Sequence, residues 1–318
     1  MLHHLFENRC FALAGRLLPL LAALGAVSCQ QAVEEEPGPI TRVENPVIYA
    51  SNYPMYYFTK RIVGEMGEVV YPVPADRDPL HWRPDEETVR QMQRADFVIL
   101  NGAGYEAWLT MAALPPRILV NTALHFERNR LIEVPGGITH SHGDGGTHTH
   151  AATATTTWLD PSLAIEHARS IRDAMTRLMP RDREGFIERH NELAADLESW
   201  ERELKEVFQN RPGAPLLASQ PVYQYLEDRY SLNLRSLDWE PGEMPLDGEW
   251  TALDRLLEEH AAEWMLWVDD PLPEVASRLD ERGIAVVVFR PCSRPPSEGD
   301  FLTEMRANTE RLREAFAP

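Results

Sequence analysis

Cysteine is nearly absent from this chain. Its 318 residues contain three, Cys10, Cys29 and Cys292. The first two belong to an N-terminal segment expected to be processed, so Cys292 would stand alone and no internal disulfide could form. Positive charge is also short: 31 Lys and Arg face 50 Asp and Glu, a formal charge of −19. Such a surface repels phosphate backbones, so nucleic acid is not an expected partner. Membrane-length apolar runs are missing too, since "LLPLLAALGAVSC" at 17–29 is too short to span a bilayer comfortably. No Ser-His-Asp arrangement, phosphate-cradling glycine loop or HExxH helix is visible, and the chain is expected not to be an enzyme.

What is present begins with an export signal. Arg9 and Arg16 precede the apolar run, and small residues lead into Cys29. Ala26, Val27, Ser28 and Cys29 resemble a bacterial lipobox, with Ala26 in place of the more usual leucine. On that reading residues 1–28 are removed and Cys29 is lipidated; a plain secretory signal cut nearby is the alternative. Residues 29–45 form a polar tether without a core pattern.

From Val47 onward, short apolar runs alternate with amphipathic stretches. "VIYASNY", "VVYPVP", "FVILNGAG" and "RILVNTA" are expected strands. "MYYFTKRIVGEMG", "DEETVRQMQRAD" and "YEAWLTMAAL" are expected helices, the second with Asp85 as its N-cap. The pattern returns after residue 213 with "PLLAS", "NLRSLDW", "WMLWVDD" and "IAVVVFRP". Alternation of this kind predicts an α/β chain with two parallel-sheet lobes of about four strands each. Between them, Phe186, His190, Leu193, Leu197, Trp200, Leu204 and Val207 recur at spacings of three and four. That periodicity predicts one long, rigid backbone helix over 181–210, with His190 on its packed face. The expected lobes are 46–180, with a histidine-rich loop over 124–157, and 211–318.

Local motifs carry a family resemblance. The first-lobe stretch "YPMYYFTKRIVGEMGEVVYPVPADRDPLHWRPDEETVRQMQRADFVILNGAGYEAWL", the helix start "TWLDPSLA" and the second-lobe opening "ASQPVYQYLEDRYSL" are similar to the solute-binding proteins of zinc and manganese ABC importers. The resemblance implies a cation, Zn²⁺ ahead of Mn²⁺, bound between the lobes by three histidines and a carboxylate. It also implies delivery of the metal to an inner-membrane permease. With the lipobox-like Cys29, the chain is expected to be a periplasmic or cell-envelope protein, lipid-anchored, and it is expected to be monomeric.

The positions that the resemblance assigns to ligands hold other residues here. They are Leu80 after the Asp-Pro pair, Thr156 two residues before Trp158, Gln220 after Ser219, and Arg290 after the last strand. Leucine cannot ligate, and threonine and glutamine offer weak neutral oxygens. Arginine stays protonated, and two unit charges 4 Å apart at an effective dielectric of about 20 interact by roughly 4 kcal/mol. A standard interlobe zinc site is therefore not expected.

Histidine is concentrated elsewhere, in "HSHGDGGTHTH" at 140–150. In extended backbone, residues i and i+2 share a face, so His140 with His142 and His148 with His150 could form two imidazole pincers. Gly143, Gly145 and Gly146 would let the chain fold back and bring them together. Four imidazoles suit tetrahedral zinc; a loop that captures cations loosely is the alternative. His81 is a further candidate ligand. Glu240, Glu243, Asp269 and Asp270 follow strand ends, and each reads as a cap or an arginine partner ahead of a ligand. Cys292 reads as a buried, inert thiol. Two other functions remain open: an anion or small organic solute held by Arg290, Arg294, Trp82 and Trp239, or a metal buffer or chaperone of the envelope.

Overall fold

The computed structural model describes residues 44–140 and 148–317, with backbone only for 135–140 and 148–152. The export signal, Cys29 and His142 lie outside the described residues.

The first sheet is built from β1 (Val47–Ala50), β2 (Glu68–Val70), β3 (Phe97–Leu100) and β4 (Leu119–Asn121), all parallel, in the order β2-β1-β3-β4. Helix α1 (Tyr53–Val63) links β1 to β2, and α2 (Glu86–Met92) precedes β3. The N-cap expected at Asp85 is present, its side chain accepting from the Thr88 amide, and Asn52 caps α1 by accepting from the Met55 amide. The strand expected through "VVYPVP" stops at Val70, because Pro72 and Pro74 cannot donate to a ladder.

The helix expected over "YEAWLTMAAL" is replaced by a single 3₁₀ turn, Ala107–Thr110. Two causes are visible. Gly102, Ala103 and Gly104 all adopt positive φ, so the chain enters the segment from left-handed backbone that does not nucleate a right-handed helix. The Glu106 carboxylate is turned inward to accept backbone amides, and Pro115–Pro116 close the segment behind it.

The histidine-rich region contains an antiparallel ladder, β5 (Glu133–His140) with β6 (His148–Thr153). Two helices follow: α3 (Pro161–Leu178), capped by Asp160, and α4 (Arg183–Gln209) of 27 residues. All seven residues of the periodic stripe in α4 are buried. The helix is tied to α1 through Arg61 and Asp196 at 2.8 Å. Its Arg189 Nε donates to the Ile62 carbonyl at 2.6 Å.

The second sheet comprises β7 (Pro215–Ala218), β8 (Asn233–Ser236), β9 (Trp264–Trp267) and β10 (Ala285–Val288), parallel and ordered β8-β7-β9-β10. Its helices are α5 (Gln224–Tyr230), α6 (Asp247–Glu259), α7 (Pro273–Asp280) and the terminal α8 (Phe301–Ala315). Trp200 on α4 donates to Thr309 on α8 at 3.2 Å, so the same helix is fastened to both lobes. Counted from its own first strand, the second sheet has the same order as the first. The largest core cluster runs from Ile48 and Phe58 through Leu197 and Trp200 to Leu216 and Phe301. One continuous apolar interior therefore joins both lobes and the strut.

Candidate functional site

In an open parallel sheet, ligands bind beyond the strand ends where the strand order reverses. Here those points lie after β1 and β3 in the first lobe and after β7 and β9 in the second. They place Ser51, Asn52, Asn101 and Gly102 on one side and Ser219, Gln220 and Asp269 on the other.

The first-lobe point is filled by a buried polar network. The Glu106 carboxylate accepts the Ser51 hydroxyl at 2.6 Å, the Asn101 amide at 2.6 Å and the Gly102 amide at 3.2 Å. Burial outweighs these bonds and raises its pKa to about 7. Asn101 Nδ2 donates to the Thr155 carbonyl at 3.1 Å, and Thr157 lies 3.3 Å from Asn101 Oδ1. Beyond it sits His167, fully buried between Thr122 Oγ1 (2.6 Å from Nδ1) and Thr157 Oγ1 (2.8 Å from Nε2). The Thr122 hydroxyl proton is directed to the Leu100 carbonyl at 2.6 Å. Nδ1 must then carry the ring proton and Nε2 must accept from Thr157, which assigns the tautomer. Desolvation lowers the His167 pKa to about 3, holding the ring neutral. Both nitrogens are engaged, so this histidine is structural.

The second-lobe point is less saturated. Ser219 Oγ is buried and finds no partner among the described residues, while Gln220 Nε2 reaches Glu240 at 3.4 Å. Arg290 is bound on three sides, to Asp269 at 3.0 Å, Asp270 at 2.8 Å and Glu304 at 3.5 Å. These carboxylates offset the guanidinium charge that the sequence alone would set against a cation. They also commit Asp269 and Asp270 as arginine partners.

Leu80 packs at the edge of the main core, and Thr156 Oγ1 donates to the Val222 carbonyl at 2.5 Å. His81 lies on an exposed turn. Trp82 packs edge-on against Trp108, and Trp239 is buried beside Trp250 and Trp267. Cys292 is buried and burial pushes its thiol pKa far up, which keeps it protonated. Glu240 and Glu243 are exposed. Among the described residues no group of three or more His, Cys, Asp or Glu could hold a metal ion.

In the β5–β6 ladder His140 is the register partner of His148, and His150 pairs with Ile138. Directly opposed positions on antiparallel strands have Cα atoms about 4.5–5.5 Å apart. The antiparallel pairing sets the backbone of His140 beside that of His148, while Gly143, Gly145 and Gly146 lie outside the described residues. Sequence reasoning missed the Glu106 and His167 network. A signal existed for His167, which follows Leu163 by four residues and precedes Ile171 by four.

Two lobes of equal topology facing one another, with one long helix spanning both, define a two-lobed α/β solute-binding protein. The family model described as zinc-uptake complex component A, periplasmic, matches residues 48–315, and the chain belongs to that family. It is 22% identical over 279 residues to the zinc-binding protein AdcA of Streptococcus pyogenes, covering 82% of this chain and 54% of AdcA. It therefore spans about half the length of that relative. The high-affinity zinc uptake system protein ZnuA of Bacillus subtilis is 23% identical over 184 residues, covering 57% of each. Among solved structures, the metal-dependent lipoprotein YcdH of Bacillus subtilis superposes with a TM-score of 0.72 at 20% identity, covering 85% of this chain and 98% of YcdH. The Zn(II)-bound ZnuA-like domain of AdcA from Streptococcus pneumoniae has a TM-score of 0.72 at 18% identity, with the same coverages.

Proposed function

We propose that this chain is the exported solute-binding component of a zinc-type ABC importer. It gathers a divalent cation, Zn²⁺ before Mn²⁺, and passes it to an inner-membrane permease. Family membership and the fold support this reading. The observation that carries it is the register that sets His140 opposite His148, two residues from His150. In this reading His140, His142, His148 and His150 supply the imidazoles, with His81 a secondary candidate, and Cys29 carries the lipid that holds the chain at the membrane. Neutral imidazole nitrogen is a favoured zinc ligand and four complete a tetrahedron. The role is binding and delivery by a monomer, without a chemical step.

The anion reading has less support, because Arg290 is neutralised by three carboxylates and Trp239 lies in the core. Calorimetry on chelator-treated mature protein tests the proposal. Near-stoichiometric zinc binding is expected, weakened by replacing His140, His142, His148 and His150 with alanine. Heat no greater than a buffer control would remove it. Permease and ATPase genes beside the coding sequence would favour an importer over an envelope buffer.

A further inference from the structure

Protein groups close the space between the lobes directly. On one side, Thr156 Oγ1 donates to the Val222 carbonyl at 2.5 Å, and the Tyr225 hydroxyl donates to the Ala154 carbonyl at 3.1 Å while lying 3.4 Å from the Ile132 amide. On the other, Trp158 Nε1 donates to the Pro291 carbonyl at 2.7 Å and the Tyr53 amide to the Ser293 carbonyl at 3.2 Å. Each bond joins the first-lobe side to the second. Trp158 and Tyr225 are 0% and 2% exposed. Breaking these bonds without admitting water would strand buried donors and acceptors. The phenyl rings of Phe58 on α1 and Phe301 on α8 meet edge-on at 5.2 Å behind them.

The same region offers a cation little. Thr156 has its hydroxyl proton committed to Val222. Glu106 is saturated by three donors, and Asp269, Asp270 and Glu304 are held by Arg290. The carboxylates of Glu106, Asp269, Asp270 and Glu304 would each have an internal cationic or hydrogen-bonding partner to lose.

We propose that the interlobe space of this chain is a hydrogen-bonded closure made by the protein alone, in which Thr156 and Tyr225 supply two of the crossing bonds and the residues present leave the cation no ligand set. Uptake of the cargo then proceeds outside the cleft and neither requires nor causes movement of the lobes. The exclusion rests on the zinc reading; the closure does not.

Amide hydrogen exchange on the mature chain separates the two. Segments 218–226 and 289–294 should exchange equally slowly in EDTA and in saturating zinc. Thr156→Val combined with Tyr225→Phe should speed exchange in 218–226 by about tenfold and leave zinc stoichiometry and affinity unchanged. Should the double variant not fold, Trp158→Phe removes one crossing donor and should speed exchange in 289–294 alone. Protection that appears only with zinc overturns the closure, and so does rapid exchange in EDTA. A loss of zinc affinity in the folded double variant overturns the exclusion. If calorimetry detects no zinc binding, the proposed function falls while the EDTA exchange still decides the closure.

Discussion

Two buried titratable residues with opposite shifts share one hydrogen-bonded network. Glu106 has a folded pKa of about 7, above the ordinary 4.5, so the folded chain retains its proton longer. That stability is fully present below pH 4.5 and is lost as pH rises towards 7. His167 has a folded pKa of about 3, below the ordinary 6.5. Its contribution is present above pH 6.5 and is lost as pH falls towards 3. Between about pH 4.5 and 6.5 the two slopes cancel. Urea denaturation followed across pH should show their joint contribution flat in that window and declining on both sides. Glu106→Gln should remove the upper decline, so that its stability relative to the parent rises by on the order of 3 kcal/mol between pH 4.5 and pH 8. An unchanged difference would contradict the burial assigned to this carboxyl. Neither shift was readable beforehand. An acid between Tyr105 and Ala107 declares nothing about solvent until the Gly102–Gly104 backbone turns it inward.

Helix α4 shows the opposite case. Its stripe was readable because a 3.6-residue period is a local property, and the structure buries every member of it. Leu197→Ala should cost about 2–5 kcal/mol, measured by urea denaturation, because the fully buried site faces both lobes through one core. A single transition reported by both fluorescence and circular dichroism is expected; two separated transitions would mean the lobes fold independently. The segment 105–114 failed as a helix because its outcome depended on positive-φ residues upstream, which composition does not announce. The β5–β6 hairpin was half readable. Glycines permit reversal, but only pairing decides that His140 meets His148. Replacing His148 and His150 with alanine should weaken zinc by at least tenfold if the ladder brings the ligands together; an unchanged isotherm would place the cation elsewhere.

At the scale of the molecule, charge and the N-terminal segment frame a further prediction. Cys29→Ser should shift the expressed chain from the membrane fraction to the soluble envelope fraction without altering its melting temperature. Retention in the membrane fraction would argue for a different anchor. No helix among the described residues is long and apolar enough to cross a membrane. The net charge of −19 should raise the on-rate for a divalent cation at low salt, an advantage that shrinks as added salt screens it.

The sequence by itself determined the α/β alternation, the two lobes and the strut, since these follow from periodicities that each segment carries alone. It also led to the expectation that Leu80, Thr156, Gln220 and Arg290 stand where the family resemblance implies ligands. Only the tertiary structure decided what those positions do instead. A threonine hydroxyl reaching a carbonyl 66 residues away, or an arginine neutralised by acids from a distant loop and helix, depends on how the lobes meet. Such contacts join residues remote in the chain, and no local pattern encodes the distance between them.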